Sequence, residues 1–264
     1  MWNSLFHINT LRRKIRKKGI VLIALLNICY LSSFLIVDCT VMGGRSSVNF
    51  TGYLICVLSE QHFLTFAVLL SVVFGVHEMH EVRLPEALAY KSRNVWTKNM
   101  LLGSITYSLL YVLFLLCMML LLAFASGIDF SDLRTPCEGM DWLIPHILYG
   151  SEEVDILKLA IVNVGNVSFY CITIAVFYGF IRSISGHRVI AILGEVAGGI
   201  IILVTVKSVM RWSYPLTPLG NVILSMSNDR WNDHVNWPYW LIVNAVIVSG
   251  TFYVNRKQEF CHDL

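Results

Sequence analysis

Charge is scarce in this chain. Only 14% of its 264 residues are Asp, Glu, Lys or Arg, against roughly a quarter in soluble domains. Hydrophobic residues make up 56%, and the mean hydropathy is +0.65. That is more apolar surface than one soluble core absorbs, so the expectation is an all-α, multi-pass membrane protein. No polar stretch is long enough for a second domain, and residues 1–264 read as a single membrane domain. Seven cysteines include no CxxC pair, which leaves a zinc knuckle or a thioredoxin-type motif unsupported. There is no GxxxxGK[ST] phosphate loop and no HExxH. His77 and His80 lie three apart and would share a helix face, but solvated polar residues are the plainer reading, and no metal is expected. Glu152-Glu153 lacks the Arg that accompanies the paired glutamates of some intramembrane proteases. No Ser/His/Asp arrangement is legible, so no catalytic residue is expected in this chain.

What is present is a series of six apolar runs, at residues 19–37, 62–76, 100–125, 156–181, 189–210 and 238–254. The first is about 19 residues long, enough to span, so it reads as a crossing and not as a cleavable signal. Ahead of it, residues 1–18 combine Trp2, Leu5, Phe6, Ile8, Leu11 and Ile15 at helical spacing with six basic residues. This suits an interfacial amphipathic helix on an anionic leaflet; a basic tail that only sets orientation is the alternative. Residues 38–60 read as a polar connection with an apolar patch at 53–58, and 126–155 as an acid-rich loop.

Six crossings put both termini on one side. Of the 20 Lys and Arg, 14 fall on that side: six in the N-terminal segment, four in residues 77–98, two in the turn at 182–188 and two in the C-terminal tail. By the positive-inside rule that side is cytoplasmic, in the cell membrane.

The island at 77–98, HEMHEVRLPEALAYKSRNVWTK, carries Arg83, Lys91, Arg93 and Lys98 with Glu78, Glu81 and Glu86. Seven charges cannot sit in hydrocarbon. Pro85 suits the first turn of a helix and Glu86 suits its positive end. A short helix held at the membrane surface is expected, with Leu84, Leu88, Tyr90 and Trp96 as apolar surface without a core of its own. That describes a docking element; an ordinary polar loop with one turn of helix is the other reading.

Inside the runs, Glu195 is a functional candidate because an ionisable group in a span is costly; pairing with a neighbouring span, or contact with water, is its structural alternative. Asn163 and Asn166, three apart, suit hydrogen bonds between helices. Gly194-x-x-x-Gly198, followed by Gly199, permits close helix approach. Cys39 and Cys137 fall in outer segments, paired or free. Asn49-Phe50-Thr51 is a formal glycosylation acceptor.

The layout resembles the permease subunit of a type-2 ABC transporter. The local likeness lies in an acidic residue where span 2 ends (Glu78 or Glu81), then Pro85, Ser92-Arg93, and Lys98 opening span 3. Residues 252–257, Phe-Tyr-Val-Asn-Arg-Lys, resemble the usual aromatic-then-basic stop, and 211–237 resembles an outer re-entrant loop. The Gly-Thr that usually follows the acidic residue is absent. The resemblance implies a cytoplasmic coupling segment at 77–99. There Glu81, Pro85, Glu86, Leu88, Tyr90 and Arg93 would meet a separate ABC ATPase subunit carrying ATP and Mg. It also implies a second permease, identical or homologous, and export of an amphipathic cargo such as an antimicrobial peptide, drug or lipid. Asn163, Asn166 and Glu195 are the candidate pathway residues. The competing classes are a membrane assembly or sensor protein without transport, and an intramembrane enzyme.

Overall fold

The computed structural model describes residues 17–41, 49–79, 92–134, 155–185, 188–208, 218–222 and 235–257. Among these, every element is helical: α1 (Lys17–Val41), α2 (Phe50–Leu58), a π-helical turn (Phe63–Val68) running into α3 (Leu69–Met79), α4 (Arg93–Ala125), α5 (Ile156–Ser185), α6 (Arg188–Ser208), a 3-10 turn (Leu219–Asn221) and α7 (Trp237–Lys257). Helices α4, α5 and α7 are each long and apolar enough to cross a membrane. A fourth crossing is counted if α2 and the helix after it, bent by 68°, form one. Helices α1 and α6 contain shorter apolar stretches, Val21–Ser33 and Val189–Gly199. The six expected crossings thus meet three clear ones and a bent fourth. The coarse class, an all-helical membrane protein, follows from these helices.

Helix α5 is the central post. It contacts α2, α3, α4, α6 and α7, and 67% of its most apolar stretch is buried, against 33% in α4 and 11% in α7. The outer faces of α4 and α7 display Leu113, Leu121, Phe124, Leu241 and Ile242. So large an apolar surface suits lipid and not water. Helix α4 has 33 residues, about 50 Å of length, against a hydrocarbon layer of about 30 Å. Its charged first turns, with Arg93 and Lys98, therefore belong outside the hydrocarbon.

Three boundaries differ from the sequence reading, one being that α5 runs to Ser185, into the turn expected at 182–188. The described part of the connection expected at 38–60 is largely helical: α1 continues to Val41, and α2 occupies Phe50–Leu58 with eight of its nine residues buried. Nine residues reach only about 14 Å, too short to span, so α2 is apolar all round because other helices enclose it. Helix α4 also starts at Arg93, not near residue 100. Ser92 caps it, accepting a hydrogen bond from the Val95 amide at 3.3 Å.

The start of α2 is pinned on the segment that follows α4. Asn49 caps it, accepting from the Gly52 amide at 2.8 Å, while its own amide donates to the Asp132 carbonyl at 2.9 Å. Thr51 donates to the Leu133 carbonyl at 2.8 Å, and the Phe50 amide to the Asp129 carbonyl at 3.0 Å. The formal glycosylation acceptor is therefore buried and spoken for by backbone carbonyls. Beside it, the Ser131 hydroxyl and amide hold the exposed Asp129 carboxyl below its ordinary pKa.

A buried polar network ties α1, α3 and α4. Asn27 donates to Ser71 Oγ at 2.9 Å, and Tyr111 donates to Asn27 Oδ1 at 2.9 Å. Tyr107 donates to the Ser71 carbonyl at 3.1 Å. Asn27→Ala leaves Ser71 Oγ and the Tyr111 hydroxyl without these partners. It is expected to lower stability by about 1–2 kcal/mol, read as an earlier unfolding midpoint in denaturing detergent. An unchanged midpoint would show that the network contributes nothing.

The interfacial helix expected over residues 1–18 lies outside the described residues except for its last two positions. So do Glu81, Pro85, Glu86, Leu88 and Tyr90, most of the 211–237 loop, and Cys137 with any pairing to Cys39, a residue near the end of α1.

Candidate functional site

A partly open cavity of about 260 Å³ lies where the π-helical turn, α5, α6 and α7 meet. Helix α5 contributes Tyr170, Thr173, Ile174 and Phe177, and α7 contributes Val243 and Ile247. Pro218 reaches it from the segment after α6. The remaining walls come from two local irregularities.

The first is the π-helical turn. Its wider i→i+5 turn adds one residue relative to an α-helix and redirects the side chains after it. The turn begins beside Glu60, whose Oε2 accepts hydrogen bonds from the Tyr30 hydroxyl and the Phe63 amide. It brings Thr65 to the cavity, where its hydroxyl is buried with no hydrogen-bond partner among the described residues.

The second is the Gly198-Gly199 pair of α6. A Cβ at Gly199 would come within 2.6 Å of Leu69 Cδ1, so a larger residue there would have to push the end of Leu69 aside where α6 meets α3. A Cβ at Gly198 would meet nothing within 4 Å, because Gly198 opens on the cavity. At Gly194 the nearest atom, on Ile181, would be 3.7 Å away, an ordinary contact. The close approach expected of the Gly194-x-x-x-Gly198 motif is thus made by Gly199.

Glu195 lines this cavity one turn before the glycine pair. It is 4% exposed, and its Oε2 is buried with no hydrogen-bond partner among the described residues. Burying a carboxylate in apolar surroundings without a donor or counter-charge is costly. Thr173, one of the two hydroxyl-bearing residues that α5 supplies to the lining, the other being Tyr170, is occupied. It donates to the Phe169 carbonyl at 2.8 Å and accepts from Asn244 at 3.0 Å. Among the described residues, the cavity is therefore a mostly apolar chamber with one carboxyl oxygen and one hydroxyl, those of Glu195 and Thr65, left without a partner.

The other pathway candidates are not assembled there. Asn163 donates to Ser59 Oγ at 3.0 Å, clipping α5 to the break between α2 and the π-helical turn. Asn166 accepts from the Trp240 indole at 3.2 Å, joining α5 to α7. Neither lines the cavity. His77 and Tyr178 share a hydrogen bond of 2.8 Å between α3 and α5. No group of three or more His, Cys, Asp or Glu among the described residues is placed to hold a metal ion. Arg93 opens α4 and donates to the Arg256 carbonyl at 3.3 Å, at the C-terminal end of α7, where a cation complements the helix dipole. Thr65, Gly198 and Phe177 were missed as site residues. The only sequence signal was a glycine pair one turn after a lone acidic residue.

A scan of protein-family models, a search of curated proteins and a search of solved structures each found no match.

Proposed function

We propose that the chain is the membrane-spanning permease subunit of a type-2 ABC exporter. It crosses the plasma membrane six times with both termini cytoplasmic, and it works with a second permease subunit. Separate ABC ATPase subunits bind ATP and Mg. The cargo is amphipathic: a peptide, a drug or a lipid-like molecule.

One observation carries this reading. The charged island at 77–98 is rooted in two apolar helices, α3 and α4, and α4 outruns the hydrocarbon on the island's side. A push on the island moves whatever its two roots are fixed to. Both roots are tied to the helices of the cavity. Through α3, His77 bonds Tyr178 of α5. Through α4, Asn94 accepts from Arg256 Nε at 3.2 Å, and Thr97 Oγ1 accepts from Asn255 at 3.1 Å, both on α7. A force on the island thus has a path to α5 and α7, which line the chamber of Glu195.

The test is co-purification. The full chain is expected to elute with an ATPase subunit, and Leu88→Glu with Tyr90→Glu is expected to release that partner while the chain stays folded. A complex that survives these changes, or a C-terminal reporter active only outside the cell, would overturn the reading.

A further inference from the structure

We propose that the Glu195 cavity is a binding site for a small amphiphile with a single protonated amine, its hydrocarbon body held by α5 and α7. The site stands on the chamber itself. It narrows the cargo of the proposed exporter but does not require that the chain be one.

Three observations define the ligand. The Glu195 carboxyl group is more than nine-tenths buried, lines the cavity, and has an oxygen without a partner among the described residues. A buried carboxyl group with a partnerless oxygen favours a ligand that brings it a positive charge and hydrogen-bond donors. The spare Thr65 hydroxyl supplies a further acceptor on the same lining. Most of the remaining wall is apolar, with Leu69, Ile174, Phe177, Val243 and Ile247 beside Tyr170 and the occupied Thr173, which suits an alkyl or aryl body better than a polyol. Size sets the third limit. The chamber's 260 Å³ lies just below the usual range of drug-sized pockets, which suits a short-chain amine better than a folded peptide. Phe177 is 37% exposed while also lining the chamber, so the wall it forms reaches the apolar outer surface. A ligand dissolved in lipid has a lateral route in.

The probe is 1-octylamine, with uncharged 1-octanol as its matched control. The full chain is held in lipid nanodiscs near neutral pH, and thermal unfolding is followed by tryptophan fluorescence. A ligand that binds only the folded state raises the melting temperature in a saturable way. Octylamine is expected to do so for the wild-type chain, and octanol is not. Glu195→Gln keeps the shape and removes the charge; the apparent affinity should fall at least about thirtyfold. Gly198→Leu, at the position where a side chain meets only open space, should fill the chamber and abolish the shift without losing the fold. If octylamine produces no saturable shift in the wild type, or the same shift in both variants, the proposal is overturned. Equal shifts from octylamine and octanol would overturn it as well, because they would reduce the effect to partition into lipid. Because no ATPase is present, these outcomes are independent of the test of the exporter reading.

Discussion

Gly75→Ala is expected to destabilise the chain by about 1–5 kcal/mol. The sign is the informative part. In a helix interior, alanine is favoured over glycine by about 1 kcal/mol, so a glycine placed there for no reason would give a stabilised variant. Gly75 has a reason: a Cβ there would overlap the Oη and Cζ atoms of Tyr107. The ring cannot simply swing away. It is buried, it stacks on Tyr111 at 6.5 Å, and its hydroxyl donates to the Ser71 carbonyl. Overpacking of this kind costs about 1–3 kcal/mol, and a displaced phenol leaves a buried carbonyl short of a donor at a similar cost. The check is a double-mutant cycle in denaturing detergent. Tyr107→Leu alone should destabilise, and Gly75→Ala added to it should cost little or nothing, since the obstructing ring is gone. Losses that simply add would show that Gly75 and Tyr107 are not coupled.

That glycine illustrates where the sequence could and could not be read. The apolar runs that became α4, α5 and α7 were plain, because length and hydropathy alone decide whether a helix can span. The start of α4 was not, because one hydrogen bond from the Val95 amide to Ser92 Oγ caps it within a stretch that is polar on both sides of the boundary. The short α2 was visible only as an apolar patch. Nine residues cannot span, and what makes them a helix is the cap of Asn49 and enclosure by α5 and α4. Asn163 and Asn166 signalled hydrogen bonds between helices by their spacing, but their partners, Ser59 and Trp240, are 104 and 74 positions away along the chain. Glu195 stood out as a charge in an apolar run. Its chamber did not, because a cavity is made of absent atoms: two glycines, and a helix widened by one π-helical turn.

Glu195→Leu is expected to make the unliganded chain more stable by about 1–3 kcal/mol while abolishing any function that depends on the cavity. Two physical cases predict opposite signs. If Glu195 were half of a buried ion pair, its removal would strand a cation and cost about 3–5 kcal/mol. The carboxyl group instead has a buried oxygen with no partner among the described residues. Replacing it with a hydrocarbon of similar reach removes a desolvation cost, leaves the Thr65 hydroxyl no worse placed than before, and adds contact with Ile174 and Ile247. A polar group kept at such an expense is retained for what it does, at the usual cost of function in stability. Measured without ligand, a later unfolding midpoint for Glu195→Leu marks the residue as part of a site. An earlier one would assign it to the scaffold, and the chamber would then be a packing defect beside a structural glutamate.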